Sequence, residues 1–285
     1  MEPVVEPCLT ALLDEEVHIA TRVPPLSTLL PAPAALTDAA HACFIISAAR
    51  GDRFLAAQNH SIQLLTRHGG PAEVVTMPRE HLLCPSSHNC SWTKCVESHK
   101  SSVSRTPHAV ANYLEHLAAA REVVRRSLSW ALIVEDDAAA SFVAEDSPVP
   151  LLHTLAELTG LVMRAGNFSV MQVGGCGGFH ARPDWAEIAR APLGGAHNRS
   201  VRVLRAPRET RDAQRCAHGY LLSNDGARAW LEHGARAMSP VDRHLAQLHA
   251  KVDNFNVDFF EPPLLCQTHA KSHHISARKA MAHCV

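Results

Sequence analysis

Several features that mark other protein classes are scarce in this 285-residue sequence. Aromatic residues make up only 5% of it, so a core drawn from its 46% hydrophobic residues must be mainly aliphatic. No apolar run approaches the roughly 18 residues that a membrane-spanning helix needs. The formal net charge is -1, which gives no basic field for nucleic acid. We therefore expect neither a membrane span nor a nucleic-acid partner.

Motifs that identify common enzyme classes are also missing. The glycine cluster at 174–178 is neither a G-x-G-x-x-G fingerprint nor a P-loop. The H-x-D and H-E-x-x-H patterns of many metal-dependent hydrolases do not occur. A hydrolase is therefore retained only as a third hypothesis.

Nine cysteines are an odd number, so at least one has no disulfide partner within the chain. Cys84, Cys90 and Cys95 alternate with histidines, which is compatible with a zinc site. Their spacing lacks the C-x-x-C pairs typical of structural zinc. Reduced thiols or one disulfide are the expected state.

The first half of the chain alternates between apolar runs and helical patterns. We predict strands at 43–47 and 72–77 with a helix at 53–67 between them, and this order favours a parallel sheet. A second helix should begin at Pro107, in the position that proline prefers, and should lead to a strand at 130–134.

The second half continues the pattern, with a helix predicted at 151–164 and strands at 168–173 and 220–222. Ser223 should cap a further helix, and Pro240 should open the last one. The arginine-rich stretch at 182–215 shows no pattern that assigns it. Without repeats or an internal linker, the sequence predicts a single α/β domain with a mostly parallel sheet flanked by helices.

The domain is expected to cover residues 41–276, between a loose Pro/Ala-rich leader at 1–40 and a tail at 277–285. The first residues show no basic region followed by an apolar stretch, so no signal peptide is expected. A cytoplasmic location is the expectation, with the secretory lumen as the alternative if the sequence lacks the native N-terminus.

The acidic residues Glu135, Asp136 and Asp137 directly follow the apolar strand at 130–134. Ligands of open α/β sheets bind at the carboxyl edge of the strands. Clustered carboxylates repel one another unless a cation compensates, and oxygen ligands suit Mg²⁺ or Mn²⁺. A divalent metal held by Asp136 and Asp137 beside a nucleotide-sugar diphosphate is one interpretation, and a solvated acidic turn is the other.

Further segments resemble glycosyltransferase family 25, the lipopolysaccharide and procollagen galactosyltransferases. Their order along the chain is similar to that in the family. The matching segments are Cys95–His99, the strand ending in Glu135-Asp136-Asp137, Val170–Gly174, Gly219–Ser223 with Gly226-Ala227, Pro240–Asp242, and Pro262–Gln267. The strand at 43–47 lacks the family's usual Asn-Leu-x-x-R-x-x-R motif. It keeps only Ile45-Ile46-Ser47, followed by Arg50 and Arg53.

The resemblance implies a GT-A fold, a UDP-sugar donor that is often UDP-galactose, a divalent metal, and inversion at the anomeric carbon. Inversion needs a base that deprotonates the acceptor hydroxyl, and Asp242 is the candidate. Asp136 and Asp137 are the candidate metal ligands. The candidate donor-binding residues are Ser98, His99, Glu135, Asp136, Gly174, Tyr220 and Ser223.

Each assignment has a structural alternative. Ser98 and His99 could instead tie down the loop before the helix at Pro107, and Tyr220 could be a core residue with a satisfied hydroxyl. Asp242 stands in the first turn of a helix, where the helix dipole favours an acidic residue and lowers its pKa.

Three functions remain open from the sequence. The first is a hexosyltransferase that moves a sugar, by the resemblance galactose, from a UDP-sugar to a glycan or protein hydroxyl. The second is a catalytically inactive carbohydrate- or nucleotide-sugar-binding protein on the same fold. The third is the metal-dependent hydrolase.

Overall fold

A computed structural model describes the protein at residues 18–22, 41–46, 72–76, 107–136, 138–140, 151–165, 168–175, 184–194, 199–208, 217–234 and 240–267. The predicted helix at 53–67, the Cys/His-rich stretch at 78–105, Asp137 and the tail lie outside these residues.

The described residues form twelve strands and four helices. The strands are β1 His18–Arg22, β2 His41–Ile46, β3 Ala72–Thr76, β4 Trp130–Glu135, β5 Ala138–Ala140, β6 Val170–Gln172, β7 Gly174–Gly175, β8 Ala186–Gly194, β9 Arg199–Arg205, β10 Gly219–Ser223, β11 Val257–Glu261 and β12 Leu265–Gln267. The helices are α1 Pro107–Arg125, α2 Leu151–Ala165, α3 Asn224–Gly234 and α4 Val241–Lys251.

Nine of these strands form one sheet in the order β1-β3-β2-β4-β10-β6-β11-β9-β8. The pairs β3–β2, β2–β4 and β6–β11 are parallel, and the other five neighbouring pairs are antiparallel. The sheet is parallel where the predicted β-α-β unit lies and mixed beyond it. β10 runs against both its neighbours because it starts at the carboxyl end of β4.

The strand β1 corrects the predicted domain boundary. His18–Arg22 pairs antiparallel with β3, from His18 opposite Thr76 to Arg22 opposite Ala72. The stretch expected to be a loose leader therefore contains an edge strand of the main sheet.

The arginine-rich stretch that showed no pattern contains the antiparallel pair β8–β9. Irregularities in the pairing at Glu187/Ala189 and Pro192/Gly194 break the alternation of side chains along β8. An extra residue in one strand shifts the faces of those that follow, which hides a strand from a period-two pattern.

Two apolar layers cover the two faces of the sheet. On one face, α1, α3 and α4 pack over Phe44, Ile133, Leu222 and Val257. On the other, α2 packs with residues such as Leu132, Met171 and Phe260. A second sheet, in the order β5-β12-β7, contributes Ala138 and Leu265 to that layer.

Chain direction brings two helix starts to the same edge of the sheet. α1 leads through a short turn into β4, and α4 leads through residues 252–256 into β11, so each helix runs back against the strand that follows it. The first turns of α1 and α4 therefore lie at the carboxyl ends of β4 and β11. This is the edge at which ligands of α/β sheets bind.

We find no helix among the described residues that is long and apolar enough to cross a membrane.

Candidate functional site

Glu135 ends β4 at this edge. The preceding residues Trp130 to Val134 are buried, and β4 is flanked by β2 and β10. The backbone N–H of Glu135 donates to the carbonyl of His218 at 2.9 Å, and that of Asp136 donates to the carbonyl of Ile46 at 3.0 Å. Glu135 and Asp136 therefore lie where β4 leaves the apolar layers.

Three side chains converge on the Glu135 carboxylate. Asn112 Nδ2 donates to Oε1 at 3.1 Å, His218 Nδ1 lies 3.2 Å from Oε2, and His116 Nε2 lies 3.5 Å from Oε1. Asn112 and His116 are four residues apart, so they project from one face of α1. Both oxygens of Glu135 therefore have partners from within the protein.

His116 connects this carboxylate to the core. Its Nδ1 lies 2.7 Å from the hydroxyl of Tyr220, and the two rings stack with centroids 5.7 Å apart. Tyr220 is completely buried in β10, opposite Ile133 of β4. Burial raises the pKa of Tyr220 well above its ordinary value, and the negative charge of Glu135 raises it further. The hydroxyl is therefore a neutral member of a Tyr220–His116–Glu135–His218 chain.

Opposing effects act on the pKa of Glu135. Burial by itself would raise that pKa, but hydrogen bonds to His116 and His218, together with the charges of these histidines, hold it far below its ordinary value. Glu135 is therefore ionised throughout the physiological range.

Asp242 lies in the first turn of α4 at the same edge. It is half-buried, and its Oδ1 accepts a hydrogen bond from the backbone N–H of Arg243 at 2.7 Å. Burial raises the pKa of Asp242, and the charge of Glu135 raises it further, against the lowering effects of Arg243 and His218. From the helix dipole, the sequence predicted a lowered pKa for Asp242. The pKa is raised instead, because the side chain is partly buried beside a second carboxylate.

The ends of β6 and β10 approach each other closely at two glycines. A Cβ atom on Gly174 would lie 3.1 Å from the backbone nitrogen of Gly219, and one on Gly219 would lie 2.5 Å from Leu265 Cδ1. Gly174 is therefore at the predicted edge, where its lack of a side chain lets two strands and β12 pack together.

Two of the predicted donor-binding residues are placed elsewhere. Ser223 pairs with Trp130, at the opposite end of β4 from Glu135. Its Oγ accepts from Gly226 N at 3.0 Å and donates to the carbonyl of Phe168 at 2.7 Å, so it is the predicted cap of α3. Tyr220 has no exposed surface and its hydroxyl lies 2.7 Å from His116 Nδ1, as the core alternative expects.

Of the two predicted metal ligands, the structure describes only Asp136. Asp136 is half-buried at the edge, whereas Asp137, Ser98 and His99 lie outside the described residues. Within the described ranges, no group of three His, Cys, Asp or Glu side chains is placed to hold a metal ion.

Sequence reasoning missed Asn112, His116 and His218, which form the surroundings of Glu135. Asn112 and His116 are polar residues on α1 among buried neighbours such as Leu114 and Leu117, and His218 stands directly before β10. A polar residue on a buried helix face was the available signal. Its partner in β4 or β10 could not be deduced without the fold.

No family model and no curated protein matches the sequence. The chemistry of this edge must therefore be inferred from its own residues.

Proposed function

We propose that this protein is a metal-dependent glycosyltransferase that moves a hexose from a UDP-sugar to a hydroxyl of a glycan or protein acceptor. Galactose is the proposed hexose, and a GT-A arrangement is the proposed form of the α/β fold. The ordered resemblance of its segments to glycosyltransferase family 25 supports this reading.

The observation that carries the proposal is the meeting of Glu135, His218 and Asp242 at one sheet edge, although two helices and several strands separate Glu135 from Asp242 in sequence. The two carboxylates have different surroundings. Glu135 is held ionised by fixed donors, whereas Asp242 is half-buried and its pKa is raised. Carboxylates whose environments differ in this way are typical of sites that divide anchoring and proton transfer between two acids.

Asp242 is the proposed base. As the acceptor oxygen attacks the anomeric carbon, its proton passes to the Asp242 carboxylate and the bond from the sugar to the diphosphate breaks. A raised pKa brings the basicity of the carboxylate closer to the working pH, which favours proton transfer. The first turn of α4 holds the group at the sheet edge.

Asp136 and Asp137 are the proposed ligands of Mn²⁺ or Mg²⁺. Hard oxygen ligands suit these ions, and Asp136 lies half-buried directly beyond β4. A bound ion would stabilise the negative charge that develops on the departing diphosphate. Glu135 is not included, because both of its oxygens already have partners.

The test is the Asp242→Asn variant, assayed with UDP-galactose and Mn²⁺. The asparagine keeps the oxygen that accepts from Arg243 but loses the basicity. We expect kcat to fall by about a hundredfold or more, with UDP-galactose affinity unchanged by calorimetry. In wild type, kcat should decline as the pH falls through the raised pKa of Asp242, above its ordinary value of 3.8.

Asp225→Asn is the matched control. Asp225 is an exposed acid in the first turn of α3, at the opposite edge of the sheet, and its loss should leave kcat unchanged. Full activity of the Asp242→Asn variant would show that Asp242 is only a helix-start residue. Donor binding without turnover in wild type would instead identify an inactive binding protein.

A further inference from the structure

A row of charged side chains crosses β11, β9 and β8 at the sheet edge where Asp242 lies. Glu261 is the final residue of β11 and is directly opposite Arg202 of β9, which in turn is directly opposite Arg190 of β8. Directly paired residues share a face of the sheet, so these three side chains form one row. The row starts at the carboxyl end of β11, the end at which α4 begins.

The row lies on the face of the sheet that α4 covers. Phe259, two residues before Glu261 in β11, packs in the layer of α1, α3 and α4. Its partner Leu204, two residues after Arg202 in β9, packs in the same layer. Because alternate residues of a strand share a face, the row and the helix that holds Asp242 are on one side of the sheet.

An irregularity in β8 adds a fourth charge to this face. Residues three apart in a regular strand point to opposite faces, but the pairing of β8 shifts between Glu187 and Ala189. Arg190 Nε and Nη2 consequently donate to the Glu187 carboxylate at 2.8 and 2.7 Å. Arg202 pairs with Glu261, and its Nη1 lies 3.7 Å from Glu187 Oε2. The four side chains are therefore one connected network.

This network, which we call the charged shelf, consists of Glu187, Arg190, Arg202 and Glu261. Between 32% and 52% of each side chain is exposed, so a ligand can reach all four. Exposed ion pairs contribute little to the stability of a fold. Bulges, in contrast, are frequent beside active sites, where they redirect a side chain.

The charged shelf offers both halves of a hydrogen bond. Its two guanidinium groups supply N–H donors, its two carboxylates supply acceptor oxygens, and their charges cancel. A sugar hydroxyl both donates and accepts, so a neutral saccharide is the complement of this surface. Pairing also holds the long side chains in place before a ligand arrives, which lowers the entropy lost on binding.

We propose that the charged shelf binds the acceptor of the transfer and that this acceptor is a neutral glycan. At the usual strand spacing, β9 and β8 lie about 5 and 10 Å from β11, which is a span that a disaccharide covers. A saccharide on these strands would present a hydroxyl to Asp242 at the end of β11. This inference rests on the proposed function and narrows its acceptor to a glycan.

The test compares wild type and Arg202→Met in the transfer of galactose from UDP-galactose to lactose, a neutral disaccharide, in Mn²⁺. The substitution removes the guanidinium that lies between the two carboxylates. We expect the KM for lactose to rise about tenfold with kcat unchanged, because the lost hydrogen bond to a charged group serves acceptor binding alone. The Tm, the affinity for UDP and the hydrolysis of UDP-galactose by water should remain those of wild type.

Arg208→Met is the matched control. Arg208 is also paired with a carboxylate and is 41% exposed, against 40% for Arg202, but it follows β9 at the opposite edge of the sheet. Its loss should leave the KM for lactose unchanged. Arg190→Met is the second shelf variant, in case Arg202→Met fails to fold, and it should also raise this KM.

An unchanged KM for lactose in the shelf variants would overturn the inference. Transfer by wild type to a serine-containing peptide but not to lactose would overturn it as well, and in both cases the proposed function would stand. Lactose binding, measured by NMR titration, covers a protein without turnover. Binding that the shelf variants weaken would then keep the saccharide site and overturn the transferase, whereas absence of binding would overturn both.

Discussion

Glu135 and Asp258 are both acids on strands of the main sheet, yet their surroundings shift their pKa values in opposite directions. Asp258, in β11, is completely buried and forms two hydrogen bonds with the guanidinium of Arg205, at 2.8 and 2.9 Å. Burial nevertheless raises the pKa of Asp258 above its ordinary value, since Arg205 compensates for it only in part. For Glu135, the contacts with His116 and His218 outweigh the effect of burial, so its pKa is lowered.

The difference shows that the number of partners, and not burial by itself, decides the direction of the pKa shift. Glu135 has an amide and two imidazoles around it, whereas the bonds that Asp258 makes come from one guanidinium. The Arg205 pair stabilises the contact between β9 and β11. The Glu135 cluster keeps a charge at an edge where a ligand can approach.

The largest effect is expected from breaking the Asp258 pair. Arg205→Met would leave the buried Asp258 without its guanidinium, and loss of one partner of a buried ion pair costs about 3–5 kcal/mol. The free energy of unfolding, from urea denaturation, measures this. Activity should persist at temperatures where the variant remains folded.

Arg208→Met is the control for that experiment. Arg208 bonds Asp253 at 2.9 Å, but the Asp253 side chain is 97% exposed. Exposed pairs contribute about 0–1 kcal/mol. Equal destabilisation by the two variants would contradict the distinction between a buried and a solvated pair.

A smaller effect is expected from Glu135→Gln. The glutamine keeps the shape but weakens three contacts, so we expect a loss of about 1–3 kcal/mol at neutral pH. Because the folded-state pKa is lowered, the contribution of Glu135 is present above its ordinary value of 4.5 and is lost as the pH falls through the folded-state value. The free energy of unfolding, measured between pH 3 and 7, should therefore fall less steeply toward acid in the variant than in wild type. An unchanged slope would contradict the lowered pKa of Glu135.

The smallest effect is expected from Tyr220→Phe. It removes the hydroxyl that pairs with His116 and costs about 1 kcal/mol, the usual net value of one hydrogen bond. UDP-galactose affinity should not change, because Tyr220 has no exposed surface. Weaker donor binding with unchanged stability would restore Tyr220 as a donor contact.

Strong local patterns were sufficient for most of the secondary structure. The strand predicted at 130–134 is β4, the helix predicted from Pro107 is α1, and the predicted cap Ser223 bonds Gly226 N. These features depend on apolar periodicity and capping, which act over a few residues. The β8–β9 pair was missed because irregular pairing interrupts its alternation.

The candidate site was predictable only in its acidic half. Glu135 and Asp136 follow an apolar strand, which is visible in the sequence, and Asp242 follows Pro240 at a helix start. The sequence around Tyr220 and Ser223 did not show that β10 runs antiparallel to β4. That direction puts Ser223 at the far edge and brings His218 to Glu135.

The sequence by itself determined the alternation of strands and helices, the caps, and the acidic end of β4, because each depends on neighbouring residues. Only the tertiary structure decided which strands run antiparallel and that Asn112, His116 and His218 surround Glu135. It also decided the direction of the pKa shift of Asp242. Burial and the charge of Glu135, which raise this pKa, come from elements distant in sequence and are not visible in the local helix-start pattern.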